Sequence, residues 1–250
     1  MISHHHACVF VHVPKVAGQS IEHVFLGQLG LSWEARAPLL LRSNDRPELG
    51  PPALAHLLAR EYVPMRYMTQ AQFDSYYKFA FVRNPWHRMV SFYRYLDYAT
   101  VMDFRSFMDR VFPTELHRDM FWFTRPQADF LLDDSGALAV DFVGCFEHLK
   151  RDWAQVCAAL ELGDTPLPHV NKSAAERPSL LDWKRHLKAL RDTKRRLAVR
   201  SGPIQHHKRY EDYYDDRTRR QVAQLYRSDI ELFGYRFGER EPTGLPLRRP

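Results

Sequence analysis

The sequence predicts an α/β fold in which helices flank a central parallel sheet, and three strand-to-helix segments predict it. Short apolar runs at 7–13, 77–82 and 139–146 are rich in β-branched and aromatic residues, and a stretch with helical spacing of apolar residues follows each. Strands that alternate with helices favour parallel pairing, and ligands of such sheets bind at the carboxyl ends of the strands. We therefore expect the functional site where the first two strands end.

The other elements follow from local patterns along the chain. Residues 14–20 are typical of a turn between the first strand and its helix. Four prolines predict an irregular segment over 36–52. Pro85 suits the first turn of a helix that we expect to begin near Trp86. The remaining predicted helices span 53–62, 104–112, 127–132, 147–160, 180–199 and 215–233.

Composition and length limit the class of protein. The 250 residues are 26% charged and 45% hydrophobic, which is typical of a soluble protein, and this length is near the upper limit for one core. We therefore expect a single domain over 1–250. No apolar run approaches the ~20 residues of a membrane-spanning helix, and the first residues lack the features of a secretory signal. Cys8, Cys145 and Cys157 form no CxxC pair, which favours a reducing cytoplasm.

The net charge of +6 is concentrated in one segment. Residues 182–209 hold ten Lys or Arg against two Asp, which predicts an anionic ligand. Because zinc-finger, basic-zipper and RNA-binding motifs are absent, nucleic acid is not an expected partner. We treat the basic helical segment, about 180–209, as a candidate insertion in the domain. It is either a solvated helix packed on the core or a surface for an anionic acceptor or an acidic lipid.

The first motif is PKVAGQS at 14–20, between a strand and a helix N-terminus. Backbone N–H groups and the helix dipole at such a junction hold phosphate, and Gly18 lets the backbone come close to it. A tight turn capped by Ser20 is the alternative. The loop is not a Walker A motif, because Lys15 precedes the glycine, and this counts against a nucleoside triphosphatase or a kinase.

The second motif is RNPWHRMVSFY at 83–93, which has the form RNPxxRxxSxY. Arg83 and Ser91 are eight residues apart, about 12 Å of rise on a helix, so they converge only if Arg83 reaches forward from the strand end. A guanidinium and a hydroxyl that converge suit a second phosphate. The alternatives are a surface ion pair or helix cap for Arg83 and an exposed helical hydroxyl for Ser91.

These two motifs together resemble a known family. The segments FVHVPKVAGQSIE at 10–22 and FAFVRNPWHRMVSFY at 79–93 are similar to the 5′-phosphosulfate loop and the 3′-phosphate motif of sulfotransferases that use 3′-phosphoadenosine 5′-phosphosulfate (PAPS). The similarity is closest to the carbohydrate-type branch, sulfotransferase family 2. It implies a P-loop NTPase-like three-layer fold. It continues at 140–147, 169–173 and 233–235.

The resemblance implies a donor site residue by residue. Lys15 matches the loop lysine, which contacts the 5′-phosphate and the bridging oxygen. Gln19 stands where the family usually has Thr, so its backbone N–H rather than its side chain would make the contact. Arg83 and Ser91 match the pair that holds the 3′-phosphate. The implied donor-binding residues are Lys15, Ala17, Gly18, Gln19, Ser20, Arg83, Ser91, Lys172 and Ser173.

Sulfonyl transfer also needs a base for the acceptor proton and positive charge near the leaving phosphate. Lys15 supplies that charge without a metal. His56 is the candidate base, because related glycan sulfotransferases place a catalytic histidine in a similar stretch, and Glu61 is second. We expect His12 to be packed in the sheet and His87 to be on the surface.

We therefore predict a PAPS-dependent sulfotransferase that acts on an acceptor hydroxyl, most readily on a carbohydrate, and releases 3′-phosphoadenosine 5′-phosphate (PAP). Sulfation of a peptide tyrosine or a small metabolite is an alternative, and so is a nucleotide- or polyanion-binding protein without catalysis. The histidines at 4–6 and 206–207 lack the spacing of metal ligands, so no metal is expected. Animal relatives are membrane-anchored in the Golgi, whereas no anchor is evident here, so we expect a bacterial cytoplasmic enzyme.

Overall fold

A five-stranded mixed sheet forms the centre of the computed structural model, which describes residues 1–113, 117–168, 207–239 and 242–248. The middle three strands pair in parallel, as predicted, whereas each outer strand pairs antiparallel with its neighbour. The expectation of a purely parallel sheet is therefore wrong at both edges, because two-residue strands leave no alternating pattern in the sequence. The strands, in their spatial order, are β1 (Ile2–Ser3), β2 (Cys8–Val11), β3 (Tyr77–Val82), β4 (Phe142–Cys145) and β5 (Leu247–Arg248).

Ten α-helices are assigned in the described part of the chain. They are α1 (Gly18–Gln28), α2 (Gln70–Ser75), α3 (Pro85–Tyr95), α4 (Phe104–Arg110), α5 (His117–Asp119), α6 (Phe121–Thr124), α7 (Ala128–Leu131), α8 (Leu149–Ala159), α9 (Asp216–Leu225) and α10 (Arg227–Phe233). Short 3₁₀ turns lie at Ala37–Leu39, Pro47–Leu49, Leu54–His56, Ala59–Glu61, Tyr98–Thr100, Phe146–His148 and Glu211–Tyr213. None of the helices within these described ranges is long and apolar enough to cross a lipid bilayer.

Two predicted helices differ from the structure. The helix expected over 53–62 is a pair of 3₁₀ turns, because Leu57 and Leu58 between them have extended backbone, with ψ of 144° and 152°. The closing helix expected over 215–233 breaks at Tyr226, where φ is −118° and ψ is 35°. The predicted basic helix at 180–199 lies outside the described residues, and the single domain stays a prediction.

Helices and turns cover both faces of the sheet. On one face, the ring of Phe79 lies 6.2 Å from Phe25 of α1 and 6.4 Å from Trp153 of α8. Lys78 immediately precedes Phe79 in β3, so its side chain points to the opposite face, where its ammonium lies 5.3 Å from the ring centre of Phe73 in α2. The sheet is thus buried on both sides, as the apolar runs in its parallel strands predict.

The register of the sheet brings the two motifs to one edge. Val11 pairs with Ala80, so β2 and β3 run side by side in the same direction, and the chain leaves both of them at that edge. Asn84 then caps α3, since its side-chain oxygen accepts hydrogen bonds from the N–H groups of Trp86 and His87. Pro85 occupies the first helical position, as predicted.

Candidate active site

The first loop is held in an unusual backbone conformation against a buried histidine. Lys15 and Ala17 have φ of 73° and 67°, in the left-handed region that side chains disfavour. A Cβ atom on Gly18 would lie 1.9 Å from Nε2 of His12. The glycine is therefore required by packing against the imidazole, a reason that the sequence did not reveal.

Arg83 links the second motif to the first loop. Its Nη1 donates a hydrogen bond to the backbone carbonyl of Lys15 at 3.2 Å, and its guanidinium lies 4.1 Å from the ring centre of Phe146. Its Nε is buried with no hydrogen-bond partner within the described residues. Burial lowers the pKa of Arg83 to about 10. The strand-end arginine is thus desolvated and has an unused donor.

His87 is half-buried, and the expectation of a surface position is wrong. Its Nε2 accepts a hydrogen bond from Arg83, and its ring stacks on Tyr210 at 5.0 Å. Burial, followed by the charge of Arg83, lowers the pKa of His87 to about 3, so the imidazole is neutral and accepts. Ser91 follows His87 by four residues on α3, which puts its hydroxyl on the same side of the helix. Arg83 thus contacts the first turn of α3, and its pairing with Ser91 stays a prediction.

Lys15 lies close to Arg83 in the same region. Its ammonium lies 3.6 Å above the ring centre of Tyr95, the last residue of α3. Burial, followed by the charge of Arg83, lowers the pKa of Lys15 to about 7. The nearby carboxylate of Glu147 accepts hydrogen bonds from the Asn84 N–H and the Tyr235 hydroxyl. Two desolvated cations at one sheet edge favour an anionic ligand, because negative charge would stabilise both.

Arg88 is a site residue that the sequence analysis missed. It is 1% exposed, and its guanidinium donates to the backbone carbonyls of Pro14, Arg125 and Phe123 at 3.0, 3.0 and 3.2 Å. These three bonds join α3 to the first loop, to α6 and to the residue that follows α6. Arg88 lies at helical spacing from the buried apolar residues of α3, and this spacing could have predicted that its side chain is buried.

Gln127 is a second residue without a predicted role. Its side-chain oxygen accepts from the Arg83 N–H at 2.9 Å, and its amide donates to the Arg83 carbonyl at 2.8 Å. Asp229 in turn accepts hydrogen bonds from the Gln127 amide and the Ala128 N–H. Gln127 thus fixes the backbone at the end of β3. No local signal could have found it, because its partners are 44 and 102 residues away.

The other predicted donor-binding residues lie around the start of α1. Ala17 is the residue before the helix, and the N–H of Ser20 donates to its carbonyl at 3.0 Å. The carbonyl of Gln19 is bound to His23 Nδ1 at 2.8 Å. Lys172 and Ser173 lie outside the described residues.

His56 lies beside the first loop in a pocket of about 250 Å³. Its Nδ1–H donates to the backbone carbonyl of His12 at 2.8 Å, which leaves Nε2 as the proton acceptor. Burial and then the charge of His12 hold the pKa of His56 well below its usual value, so the ring is neutral. Glu61 lines the same pocket, and one carboxylate oxygen accepts from the Leu58 N–H at 2.9 Å. Both candidate bases therefore face one cavity.

His12 is buried, as expected, and connects this pocket with α1. Its Nδ1 lies 2.6 Å from a carboxylate oxygen of Glu22, and its ring centre lies 4.4 Å from that of His56. The pair Glu22 and His12 is packed between the candidate base and the first turn of α1.

Comparison with known protein families accounts for these two motifs. A model of the sulfotransferase family, family 2, matches residues 1–236 of the chain. The chain belongs to the sulfotransferase family. No curated protein and no solved structure matches it. The family resemblance noted from the two motifs is thereby confirmed, and the sulfotransferase requires a sulfonate donor and an acceptor.

Proposed function

We propose that this sulfotransferase moves the sulfonate group of PAPS to a hydroxyl of a carbohydrate acceptor. The observation that carries the proposal is the hydrogen bond from Arg83 to the Lys15 carbonyl, because it joins the two motifs at one sheet edge. In this proposal the loop at 15–20 binds the 5′-phosphosulfate end, and Arg83 with Ser91 binds the 3′-phosphate. Lys172 and Ser173 complete the donor site, in a P-loop-like three-layer fold.

The electrostatics of the free protein support an anionic donor. Lys15 has a pKa of about 7 when no ligand is bound, so its charged form is only partly populated at neutral pH. A phosphosulfate at the loop would raise that pKa and restore the ammonium. The ammonium would then stabilise the charge that develops on the leaving 5′-phosphate oxygen.

The proposed transfer step is a direct displacement at sulfur. The acceptor oxygen forms a bond to sulfur while the bond between sulfur and the 5′-phosphate oxygen breaks. The acceptor proton passes to Nε2 of His56, and the products are a sulfate ester and PAP. The negative charge of the donor would raise the pKa of His56 and strengthen it as a base. A base in this position contributes about 10²–10⁴-fold to the rate.

Selective stabilisation by PAP tests the donor assignment. Thermal unfolding is followed with PAP, AMP or heparin, since a ligand of the native state raises the Tm by an amount that grows with the logarithm of its concentration divided by its Kd. We expect PAP to stabilise the protein well above AMP at equal concentration. Lys15→Ala should unfold normally without ligand and lose turnover. Equal shifts with PAP and AMP would favour a polyanion-binding protein and overturn the proposal.

A reducing location is proposed as well. All three cysteines are free and buried, and the burial of Cys8 and Cys145 in strands agrees with the prediction from the apolar runs around them. Free thiols of this kind are common in the cytoplasm, and labelling with a thiol reagent after unfolding would count them in protein isolated from its natural source.

A further inference from the structure

The guanidinium of Arg83 is held at both of its terminal nitrogens before any ligand binds. Nη1 donates a hydrogen bond to the backbone carbonyl of Lys15, and Nη2 donates one to Nε2 of His87. The central carbon of the guanidinium lies 4.1 Å from the ring centre of Phe146. Because the five N–H groups of an arginine point in fixed directions within one plane, these contacts set the orientation of the whole group.

The Nε–H group of Arg83 is the donor that these contacts leave unused. It is buried without a hydrogen-bond partner among the described residues. A buried donor of this kind costs free energy until an acceptor pairs with it, and a phosphate oxygen is a strong acceptor for a guanidinium. The contacts at Nη1 and Nη2 therefore determine the direction in which the Nε–H group can meet an anionic ligand.

His87 is itself held by aromatic rings from two other segments of the chain. Its ring stacks on Tyr210, with 5.0 Å between the ring centres and 16° between the planes. It also stands at 79° to the ring of Phe146, at 6.0 Å. The hydroxyl of Tyr210 accepts a hydrogen bond from the Gly238 N–H at 2.8 Å, which holds the tyrosine in place. The imidazole therefore cannot turn away from Arg83 without displacing these rings.

The imidazole holds Arg83 without cancelling its positive charge. Burial, followed by the charges of Arg83 and Arg94, keeps the pKa of His87 at about 3, so its Nε2 is an unprotonated acceptor at neutral pH. A carboxylate at this position would also accept from the guanidinium, but its charge would repel a phosphate. A neutral acceptor orients the arginine and leaves its charge available to the ligand.

We propose that His87 is a positioning residue for the 3′-phosphate of the donor. Its hydrogen bond with Nη2 keeps Arg83 in the orientation in which the Nε–H group meets the phosphate, so less order has to be gained when the donor binds. His87 itself touches neither the phosphate nor the reacting sulfur. This inference rests on the proposed function and adds a residue on which discrimination between PAP and AMP depends.

Two replacements of His87 separate its hydrogen bond from its ring. His87→Phe keeps a ring against Tyr210 and Phe146 but removes the acceptor, whereas His87→Gln removes the ring and places an amide oxygen near the position of Nε2. Calorimetry measures the Kd of PAP and of AMP, which differ only in the 3′-phosphate. The ratio of the AMP Kd to the PAP Kd should fall by about tenfold or more in His87→Phe and by less than about threefold in His87→Gln.

Steady-state kinetics with PAPS separates donor binding from the transfer step. His87→Phe should raise the donor KM by about tenfold and leave kcat within about threefold, because the imidazole does not contact the reacting atoms. His6→Phe is the matched control. Its imidazole is hydrogen-bonded to the Ser3 hydroxyl at 2.8 Å, ahead of β2 and at the other end of that strand from Lys15. Both the Kd ratio and the donor KM should be unchanged in this variant.

The unaltered protein offers a measurement that does not depend on the folding of a variant. The ¹⁵N resonance of His87 Nε2 shows whether this nitrogen carries a proton. At pH 6.5 it should remain the resonance of an unprotonated nitrogen after PAP is added. A protonated Nε2 in the complex would mean that His87 itself donates to the phosphate, which would overturn the positioning role.

The outcomes separate this inference from the proposed function. An unchanged Kd ratio in His87→Phe overturns the inference alone, provided that the unaltered protein binds PAP more tightly than AMP. An equal loss in His87→Phe and His87→Gln also overturns it, because the shape of the ring rather than its hydrogen bond would then be responsible. If the unaltered protein binds PAP and AMP equally, the proposed function fails instead.

Discussion

Arg88 donates a hydrogen bond from its Nε to the backbone carbonyl of Pro14 at 3.0 Å, across 74 residues of sequence. The same guanidinium donates to the carbonyls of Phe123 and Arg125, and Arg125 lines the pocket beside His56. One buried side chain therefore ties the first loop to the wall of that pocket. In the proposed function the loop binds the donor and His56 faces the acceptor, so Arg88 would help to set the distance between the two substrates.

Replacement of Arg88 should therefore affect both stability and donor binding. Arg88→Met leaves three buried carbonyls without their donor, so we expect a loss of about 3–5 kcal/mol in the free energy of unfolding, measured by urea denaturation. Arg88→Lys restores one of the three hydrogen bonds, so it should recover part of the lost free energy of unfolding. Its KM for the donor should be higher than that of the unaltered protein. Arg94→Met, at an exposed position of α3, is the control. Equal stability of Arg88→Met and Arg94→Met would contradict this role.

Donor affinity should depend on pH through Lys15. Its pKa in the free protein is about 7, and a bound anion raises it, so binding above pH 7 takes up a proton. Affinity for PAP should fall as the pH rises from 7 to 9, a range in which the phosphates of PAP are already fully ionised. Calorimetry in two buffers with different ionisation enthalpies measures the proton uptake. Lys15→Arg keeps its charge and should lose the pH dependence; the same dependence in that variant would contradict the assignment.

The neutral state of His87 should appear in acid unfolding. Its pKa is about 3 in the folded protein against 6.5 for a free histidine, so the unfolded state binds the proton more readily. Stability is therefore lost as the pH falls from 6.5 towards 3, by at most about 1.4 kcal/mol per pH unit from this residue. His87→Gln should reduce that slope in urea unfolding at pH 7, 6, 5 and 4. An unchanged slope would mean that His87 is not neutral in the fold.

The contact between Gly18 and His12 predicts a non-additive pair of mutations. Gly18→Ala places a Cβ atom 1.9 Å from the imidazole, so we expect it to cost more than 2 kcal/mol, like other overpacked sites. In a His12→Ala background the same substitution should cost far less. Gly27→Ala in the same helix is the matched control, because its Cβ would meet nothing within 4 Å and alanine favours a helix. Additive costs in the double-mutant cycle would contradict the packing described.

Most of the framework could be predicted from local patterns, and the contacts within the site could not. Strand β3 (Tyr77–Val82) was predicted at its observed bounds, because residues that break a strand flank its apolar run. Gln127 was missed because its partners are distant in sequence, and for Arg88 the helical spacing could have indicated burial but not its three distant partners. The two turns at 54–61 were predicted as a helix, since composition alone cannot distinguish a short helix from successive 3₁₀ turns.

The position of bound PAP tests the central claim most directly. A crystal structure of the complex should place the 5′-phosphate within hydrogen-bond distance of Lys15 Nζ, of the N–H groups at 18 and 19 and of the Ser20 hydroxyl, with the 3′-phosphate on Arg83 and Ser91. One nucleotide bridging both motifs is the predicted result. Nucleotide bound elsewhere, with Lys15 still against Tyr95 and Arg83 free of phosphate, would contradict the account.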